Sequence, residues 1–205
     1  MPFSRDPRIH PVLISALRPT QLTVGMREVK AKRKSWREHT GRKKADFLGN
    51  HMIPVVLGPK EGYYVIDHHH LSLALHQEGV KSIATTIVAD LRRLPQEAFW
   101  IHLDNRGWMH PFDVHGRRRD YDALPRHVWE LKDDPYRSLA GELRRRGGFA
   151  KDTTPFSEFL WADHLRRNIK LKLLEEDFSK ALVQALKLAK SPDADFLPGW
   201  CGPTS

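Results

Sequence analysis

The segment that decides the fold covers residues 63–79 and reads YYVIDHHHLSLALHQEG. Its first four residues are aromatic or β-branched, which is typical of a strand. From residue 71 the apolar side chains recur at helical spacing until Gly79, so we predict a short helix there. Between the strand and the helix lie Asp67 and three consecutive histidines. Because titratable side chains are rare in protein cores, this junction is our first candidate for a functional site.

The sequence around this segment predicts a compact α+β unit over residues 10–95. Residues 53–57 and 63–66 are two short β-rich runs separated by a turn that contains glycine and proline, a pattern that indicates a hairpin. Residues 82–90 predict another strand, and residues 12–24 predict a first strand with a turn.

Beyond residue 95 the pattern changes to helices and loops. We predict a helical extension over residues 96–190, packed on the α+β unit, and a loop-like tail over residues 191–205. The clearest helical periodicity covers residues 173–190, where apolar side chains share one face and indicate a core stripe. The predicted fold class is therefore α+β, with a mostly helical C-terminal extension.

The composition is that of a soluble globular protein, with 40% hydrophobic and 29% charged residues. No apolar run approaches the roughly 20 residues that a membrane span needs, so we expect no membrane partner. The first six residues lack the pattern of a secretory signal. The single cysteine, Cys201, excludes a disulfide framework and a cysteine-rich zinc site. We therefore expect a cytoplasmic protein.

The positive charge is concentrated in a few places. The net charge is +9, and residues 27–44 carry nine basic and two acidic side chains. Arginine triplets follow at residues 117–119 and 144–146. Such clusters can bind a nucleic acid, a nucleotide or a phosphorylated small molecule. A solvated helix face is the alternative interpretation of a basic run.

The junction at residues 67–70 has the chemistry of a phosphate site. A helix N-terminus presents backbone N–H groups and the positive end of the helix dipole, both of which favour a phosphate. A neighbouring carboxylate such as Asp67 suits a Mg²⁺ ion that accompanies the phosphate. The structural alternative is that Asp67 caps the helix while one or two of the histidines form buried hydrogen bonds.

A series of short motifs runs through the chain in a characteristic order: LRPTQ (17–21), VGMREV (24–29), IPVV (53–56), YVIDHHH (64–70), DPYRSLAGELRRRGGFAKD (134–152) and TPFSEFLWADHLRR (154–167). Together these motifs resemble the ParB/sulfiredoxin superfamily, and most closely its branch of ParB-like nucleases. The resemblance covers about residues 10–170. That superfamily includes CTP-binding partition proteins, sulfiredoxin and free-serine kinases.

The resemblance implies roles for individual residues. In that superfamily the strand-to-helix motif holds nucleotide phosphates, which puts His69 and His70 at phosphate-contacting positions and Asp67 at the start of the motif. Glu28 resembles a glutamate near the start of the free-serine kinase domains, which suggests a catalytic carboxylate that acts as a base, or a metal-linked carboxylate.

Three departures from the superfamily pattern argue against particular functions of its members. Leu71 stands where relatives carry arginine, which argues against a CTP switch of the partition type. Histidines stand at positions 68 and 69, where sulfiredoxin needs its cysteine, which argues against sulfiredoxin activity. No helix-turn-helix reader follows the domain, which disfavours sequence-specific DNA binding.

Our leading hypothesis is an enzyme that binds a nucleotide (ATP, ADP or CTP) and performs Mg²⁺-assisted phosphate chemistry, as a phosphotransferase or a nucleotide hydrolase. Its predicted catalytic residues are Glu28, Asp67 and His68, with Asp67 also the candidate Mg²⁺ ligand. The predicted phosphate or nucleotide contacts are His69, His70, Lys32, Arg137 and Lys151. The alternatives are a nuclease that acts on DNA or RNA, and a non-catalytic DNA-binding module that is gated by a nucleotide.

Overall fold

The computed structural model describes residues 9–203, apart from the side chains of residues 9, 10, 42 and 45. The N-terminal residues examined for a secretory signal lie outside this range. The chain divides into two compact units. Unit 1 runs up to Leu22 and continues with residues 29–112 and 118–132. Unit 2 consists of residues 23–28, residues 113–117 and the chain from Asp133 onward.

The strands of the described chain are, in order, β1 (Ile9–Leu13), β2 (Leu17–Pro19), β3 (Thr23–Val24), β4 (Ile53–Gly58), β5 (Gly62–Val65), β6 (Ser82–Asp90) and β7 (Lys132–Asp133). Five of them form a mixed sheet in the order β1-β6-β4-β5-β2. The pairs β1–β6 and β4–β5 are antiparallel, whereas β4–β6 and β2–β5 are parallel. The short strands β3 and β7 pair separately.

The helices of the described chain are α1 (Met26–Glu38), α2 (Arg42–Asn50), α3 (His69–Gln77), α4 (Gln96–Asn105), α5 (Pro135–Arg145), α6 (Ser157–Asn168), α7 (Leu171–Glu176) and α8 (Phe178–Ala189). The basic run of residues 27–44 thus lies mainly on α1, which begins in unit 2 and continues into unit 1 after Glu28. Among the helices of residues 9–203, none has the length and apolar character needed to cross a membrane.

The predicted hairpin is confirmed, because β4 and β5 pair antiparallel with Val55 opposite Val65. Gly58 closes β4 where the rings of Tyr64 and Phe99 approach the backbone so closely that a methyl group would collide with them. Only glycine fits at this position, because it has no Cβ. The strand predicted over residues 82–90 is confirmed with the same bounds as β6.

The core of unit 1 includes side chains of α4. Phe99 and Leu103 are fully buried against Val56 and Tyr64 of the sheet. Helix α4 and residues 118–132 therefore belong to unit 1, whereas the sequence analysis assigned them to the helical extension. Burial of the apolar face of α4 on the sheet accounts for this difference, because a contact with a strand forty residues earlier leaves no local mark in the sequence.

The core of unit 2 is helical, so the predicted α+β class with a helical C-terminal part is confirmed. The predicted stripe on residues 173–190 is buried in one cluster at Leu174, Ala181, Ala185 and Ala189. The stripe is carried by two helices rather than one, because the chain turns at Asp177. The Asp177 carboxylate accepts a hydrogen bond from the Lys180 N–H at 2.9 Å and begins α8 as its N-cap.

Residues 191–203 of the C-terminal tail contain turns and a short 3-10 helix at Pro192–Ala194, and part of this segment packs into the core of unit 2. Ala194 and Leu197 are buried in the same cluster as Trp161. The Trp161 Nε1–H donates to the Pro198 carbonyl at 2.8 Å, which fixes the tail against α6. Residues 204 and 205 lie outside the described residues.

Candidate functional site

The predicted junction lies in unit 1, between the end of β5 at Val65 and the start of α3 at His69. His68 has the left-handed backbone conformation, with φ 63° and ψ 28°. This conformation costs a non-glycine residue about 1–2 kcal/mol. The helix then begins with a hydrogen bond from the Ser72 N–H to the His68 carbonyl at 2.9 Å. A left-handed residue followed by a helical one turns successive N–H groups toward one side, an arrangement known as an anion-binding nest.

The Asp67 carboxylate is the negative group nearest to this nest along the chain. Its Oδ1 accepts a hydrogen bond from the His68 N–H at 2.6 Å, and its Oδ2 lies 4.0 Å from the His68 Nε2. The Asp67 side chain is 75% exposed, so water and solutes can reach it. The N-cap position itself is occupied by His68, and no side chain caps the helix there. Asp67 therefore precedes the N-cap and does not cap α3, in contrast to what the structural alternative predicted.

His69 is a core residue with a specific hydrogen bond. It is only 4% exposed, and its Nε2 accepts a hydrogen bond from the Thr20 N–H at 3.2 Å. The Thr20 hydroxyl donates in turn to the Val65 carbonyl at 2.7 Å. This arrangement requires an unprotonated Nε2. His69 thus ties the start of α3 to the residue that follows β2, as the structural alternative predicted for one of the histidines.

The other predicted contacts of unit 1 are His70 and Lys32. His70 is the second residue of α3 and is half-buried. Lys32 lies on α1 and is also half-buried. Both positions leave part of the side chain accessible to a ligand, in contrast to His69.

Helix α3 is also fixed at its other end, by a contact that the sequence analysis missed. Glu78 follows the helix and accepts hydrogen bonds from the Arg33 Nε at 2.6 Å and the Arg37 Nε at 2.8 Å. The hydrogen bonds from Arg37 and then Arg33 lower the pKa of Glu78 to about 2, although burial opposes them. Two charges of the basic run are therefore used inside unit 1, and together with the Thr20–His69 contact they hold α3 at both ends.

This contact predicts an acid dependence of stability. The pKa of Glu78 falls from 4.5 to about 2 on folding, so its contribution is complete above pH 4.5 and is lost as the pH falls from 4.5 toward 2. Because Arg37 is largely exposed, we expect Glu78→Gln to lower the free energy of unfolding at pH 7 by only about 1–2 kcal/mol. Urea unfolding at pH 7 and pH 3 measures both effects.

The control for this prediction is Glu38→Gln, because Glu38 is exposed and lies 4.0 Å from Lys34. It should leave the free energy of unfolding unchanged within about 0.5 kcal/mol. A Glu78→Gln protein as stable as the wild type at pH 7, or one with an undiminished loss of stability at pH 3, would contradict the assigned role.

The remaining predicted site residues belong to unit 2. The Glu28 Oε2 accepts a hydrogen bond from the Arg145 Nη1 at 2.5 Å. The Arg145 Nε donates in turn to Glu142 at 2.9 Å. Glu28, predicted to be a catalytic carboxylate, is therefore held in an ion pair that restrains its position.

Arg137 is enclosed in unit 2, with its side chain only 5% exposed. Its guanidinium lies 3.7 Å from the centre of the Phe159 ring, and its Nη1 lies 3.5 Å from the Glu158 Oε2. Burial lowers the pKa of Arg137, whereas the charges of Glu158 and Asp134 raise it. Within the described chain, its Nε and Nη1 are buried without a hydrogen bond. The donors of this guanidinium are therefore incompletely used.

Lys151 is exposed in the connection between α5 and α6 of unit 2. The predicted residues are thus divided: unit 1 brings together Asp67, His68, His69 and His70, while unit 2 contains Glu28, Arg137 and Lys151. In the part of the chain that the structure describes, no three His, Cys, Asp or Glu side chains are grouped to hold a metal ion. A Mg²⁺ ion at Asp67 would therefore need oxygens from a bound phosphate, which is how Mg²⁺ commonly binds in such sites.

The chain is similar to one protein family and to several solved structures. A family model described as "Putative ParB-like nuclease" matches residues 10–167. The crystal structure of protein Atu1540 from Agrobacterium tumefaciens is 52% identical, with a TM-score of 0.92 over 98% of this chain and 100% of that chain. The C-terminally truncated chromosome-partitioning protein ParB from Caulobacter crescentus, complexed with CTP-gamma-S, is 13% identical, with a TM-score of 0.32 over 91% of this chain and 94% of that chain. A search of the curated proteins found no match.

Proposed function

The chain belongs to the ParB-like nuclease family. We propose that it is a nucleotide-binding enzyme and that it performs Mg²⁺-assisted phosphate chemistry at the start of α3. The observation that carries the proposal is the left-handed His68 ahead of α3, with the exposed Asp67 carboxylate hydrogen-bonded to its N–H. A strained backbone at a helix N-terminus, beside an exposed carboxylate, is a combination that suits a phosphate and its metal ion.

In this proposal the Asp67 carboxylate occupies, in the absence of ligand, the N–H donor that a phosphate would use. Its Oδ1 accepts the His68 N–H at 2.6 Å, and a phosphate oxygen has the same charge sign and the same acceptor chemistry. When a phosphate takes this N–H, the Asp67 side chain is released toward solvent. Asp67 would then be the residue that holds a Mg²⁺ ion accompanying the phosphate, and the ion would supply neutralisation of the phosphate charge.

The three histidines have different roles in this proposal. His70 donates a hydrogen bond to the phosphate, and the exposed His68 accepts or releases a proton. His69 orients the junction, since its Nε2 already accepts the Thr20 N–H, so the phosphate contact falls to His70. Lys32 adds positive charge from α1. Phosphoryl transfer depends mainly on such positioning and charge neutralisation, which this set of groups can supply.

The proposal is tested by calorimetric titration of the protein with ATP, ADP and CTP, with and without Mg²⁺. Loss of one charge-assisted hydrogen bond to phosphate costs about 1.5–3 kcal/mol, so His70→Ala should weaken binding roughly 10- to 150-fold. Asp67→Asn should remove the dependence on Mg²⁺ while retaining the metal-free binding. His115→Ala, which changes an exposed histidine of unit 2, is the control and should bind like the wild type.

Failure of the wild-type protein to bind any of these nucleotides would contradict the proposal. So would a His70→Ala protein that binds as tightly as the wild type. Glu28, Arg137 and Lys151 stay predictions that the same titrations and a turnover assay address. Glu28→Gln should spare binding and abolish turnover if Glu28 is the base. Because Glu28 is paired with Arg145, an Arg145→Gln protein separates loss of the base from loss of the ion pair.

A second candidate function is nucleolytic cleavage of DNA or RNA, which the family description favours. In that case the protein cuts a nucleic acid in the presence of Mg²⁺ without added nucleotide, and His70→Ala abolishes the cutting. Incubation of labelled single-stranded and duplex substrates beside the titrations distinguishes the two functions. A protein that neither turns over a nucleotide nor cuts, but whose affinity for DNA changes with nucleotide, would instead be a nucleotide-gated binding module.

A further inference from the structure

Unit 1 also contains a pocket of about 280 Å³. It lies among the end of β2, the start of α4 and residues 121–126, and no residue of the 67–70 junction lines it. This volume is close to the lower limit of the roughly 300–1,000 Å³ that is typical of small-molecule sites, so it suits a small ligand. The pocket is therefore large enough for one flat ring system with a small group attached.

Three aromatic side chains form walls of this pocket. The rings of Tyr64 and Trp100 are perpendicular, with their centres 5.2 Å apart. The ring of Tyr121 lies 6.2 Å from Trp100, inclined at 34°. Tyr64 is buried, whereas Trp100 and Tyr121 are partly exposed and can offer a ring face to a ligand. Partly exposed aromatic rings that converge in this way suit stacking with a planar aromatic group.

Two guanidinium groups give the same pocket a positive character. Arg18 lies 5.8 Å from the centre of the Tyr64 ring, and Arg126 is an exposed residue of the lining. Among the residues that the structure describes, neither arginine forms an ion pair with a carboxylate. The neighbouring Arg118 is paired with Asp104, by contrast. The pocket lining therefore presents two guanidinium groups for an anion, against the single carboxylate of Asp122.

We propose that this pocket binds one nucleotide unit, with its base against Trp100 and Tyr121 and its phosphate at Arg18 or Arg126. Aromatic stacking combined with arginine is how proteins hold unstacked nucleotides. The same chemistry is offered by a free mononucleotide and by one nucleotide of a single strand. A base pair within a duplex stays stacked and does not enter. This site is independent of the phosphate chemistry proposed at the start of α3.

The test uses a variant that fills the pocket from the surface. Gln96 is an exposed residue of the lining, so Gln96→Trp should obstruct the pocket without disturbing the core. Gln77→Trp, at the exposed end of α3 and outside the lining, is its matched control. Loss of one stacked base should weaken binding roughly 5- to 150-fold in Gln96→Trp. Arg126→Gln should also weaken binding, whereas the exposed Arg93→Gln outside the lining should not.

Binding is measured with fluorescein-labelled ten-nucleotide DNA and RNA single strands, their duplexes, the four nucleoside monophosphates and inorganic phosphate. A single strand that binds more than about tenfold tighter than any monophosphate identifies the strand as the source of the nucleotide. Comparable affinities identify the free nucleotide. Either result supports the proposal, provided that Gln96→Trp and Arg126→Gln weaken binding and the two controls do not.

Three results would overturn the proposal. The first is the absence of binding by every single strand and monophosphate. The second is competition by inorganic phosphate as effective as competition by a monophosphate, because the base would then contribute nothing. The third is binding that His70→Ala abolishes and Gln96→Trp leaves unchanged, which would assign the nucleotide to the start of α3 instead.

Discussion

Replacement of Asp134 by alanine should lower the free energy of unfolding by about 3–5 kcal/mol, because it removes both a helix cap and the buried carboxylate that pairs with the half-buried Arg166 guanidinium. Asp134 is only 1% exposed, and its Oδ2 accepts a hydrogen bond from the Arg166 Nη2 at 2.6 Å. Its Oδ1 accepts the Tyr136 N–H at 3.0 Å and so caps α5. The substitution removes both the cap and the charge pair, and the cap alone is typically worth about 1 kcal/mol.

Urea unfolding at pH 7 measures this loss, and thermal unfolding should show a melting temperature about 6–20 °C lower for a chain of this length. Asp163→Ala is the matched control, since Asp163 also contacts Arg166, at 3.3 Å, but is partly exposed. It should cost no more than about 1 kcal/mol. Asp134→Asn keeps a capping oxygen and should be intermediate. A loss below about 1 kcal/mol in Asp134→Ala would show that the pair is not a major contribution to stability.

His69→Ala should destabilise the protein by about 2–4 kcal/mol, which combines an unsatisfied buried N–H at Thr20 with the cavity left by the ring. This effect would occur without any ligand. Loss of nucleotide binding in this variant would therefore not by itself identify a phosphate contact. Thermal unfolding in the absence of nucleotide provides the direct measurement.

His68→Gly is the control for the histidine cluster. Because His68 has a left-handed backbone, glycine at this position should leave stability unchanged or raise it by up to about 1 kcal/mol. His69→Ala with wild-type stability and no nucleotide binding would restore the phosphate contact implied for His69 by the superfamily motif. The stability difference between the two variants thus separates the structural histidine from the accessible one.

The parts of the fold that local sequence determines were predicted well. Strand β6 and the β4–β5 hairpin follow from β-rich runs and turn residues, which are properties of neighbouring residues. The membership of α4 in unit 1 was not predicted, because Phe99 packs on Val56 across a long separation in sequence. The break at Asp177 was also missed, although an aspartate inside a periodic run is a known N-cap signal.

The strand-to-helix junction was predicted from the sequence, but the different environments of its three histidines were not. Composition alone does not distinguish the three histidines. Helical spacing does not distinguish them either, because every residue from Leu71 to Leu75 is buried and each histidine precedes buried residues by three and four positions. The contacts of Glu78 with Arg33 and Arg37 had no signal in the sequence, since more than forty residues separate the partners.

The interleaving of the two units has a consequence for synthesis on the ribosome. Residues 23–28 belong to unit 2, where the Val24 carbonyl accepts the Asp134 N–H at 2.9 Å. These residues emerge roughly a hundred residues before their partners, a delay of about 5–20 s at ordinary translation rates. Val24, which is fully buried in the finished protein, stays without its strand partner β7 throughout that interval. The order of translation therefore makes this early segment one of the last to complete its strand pairing.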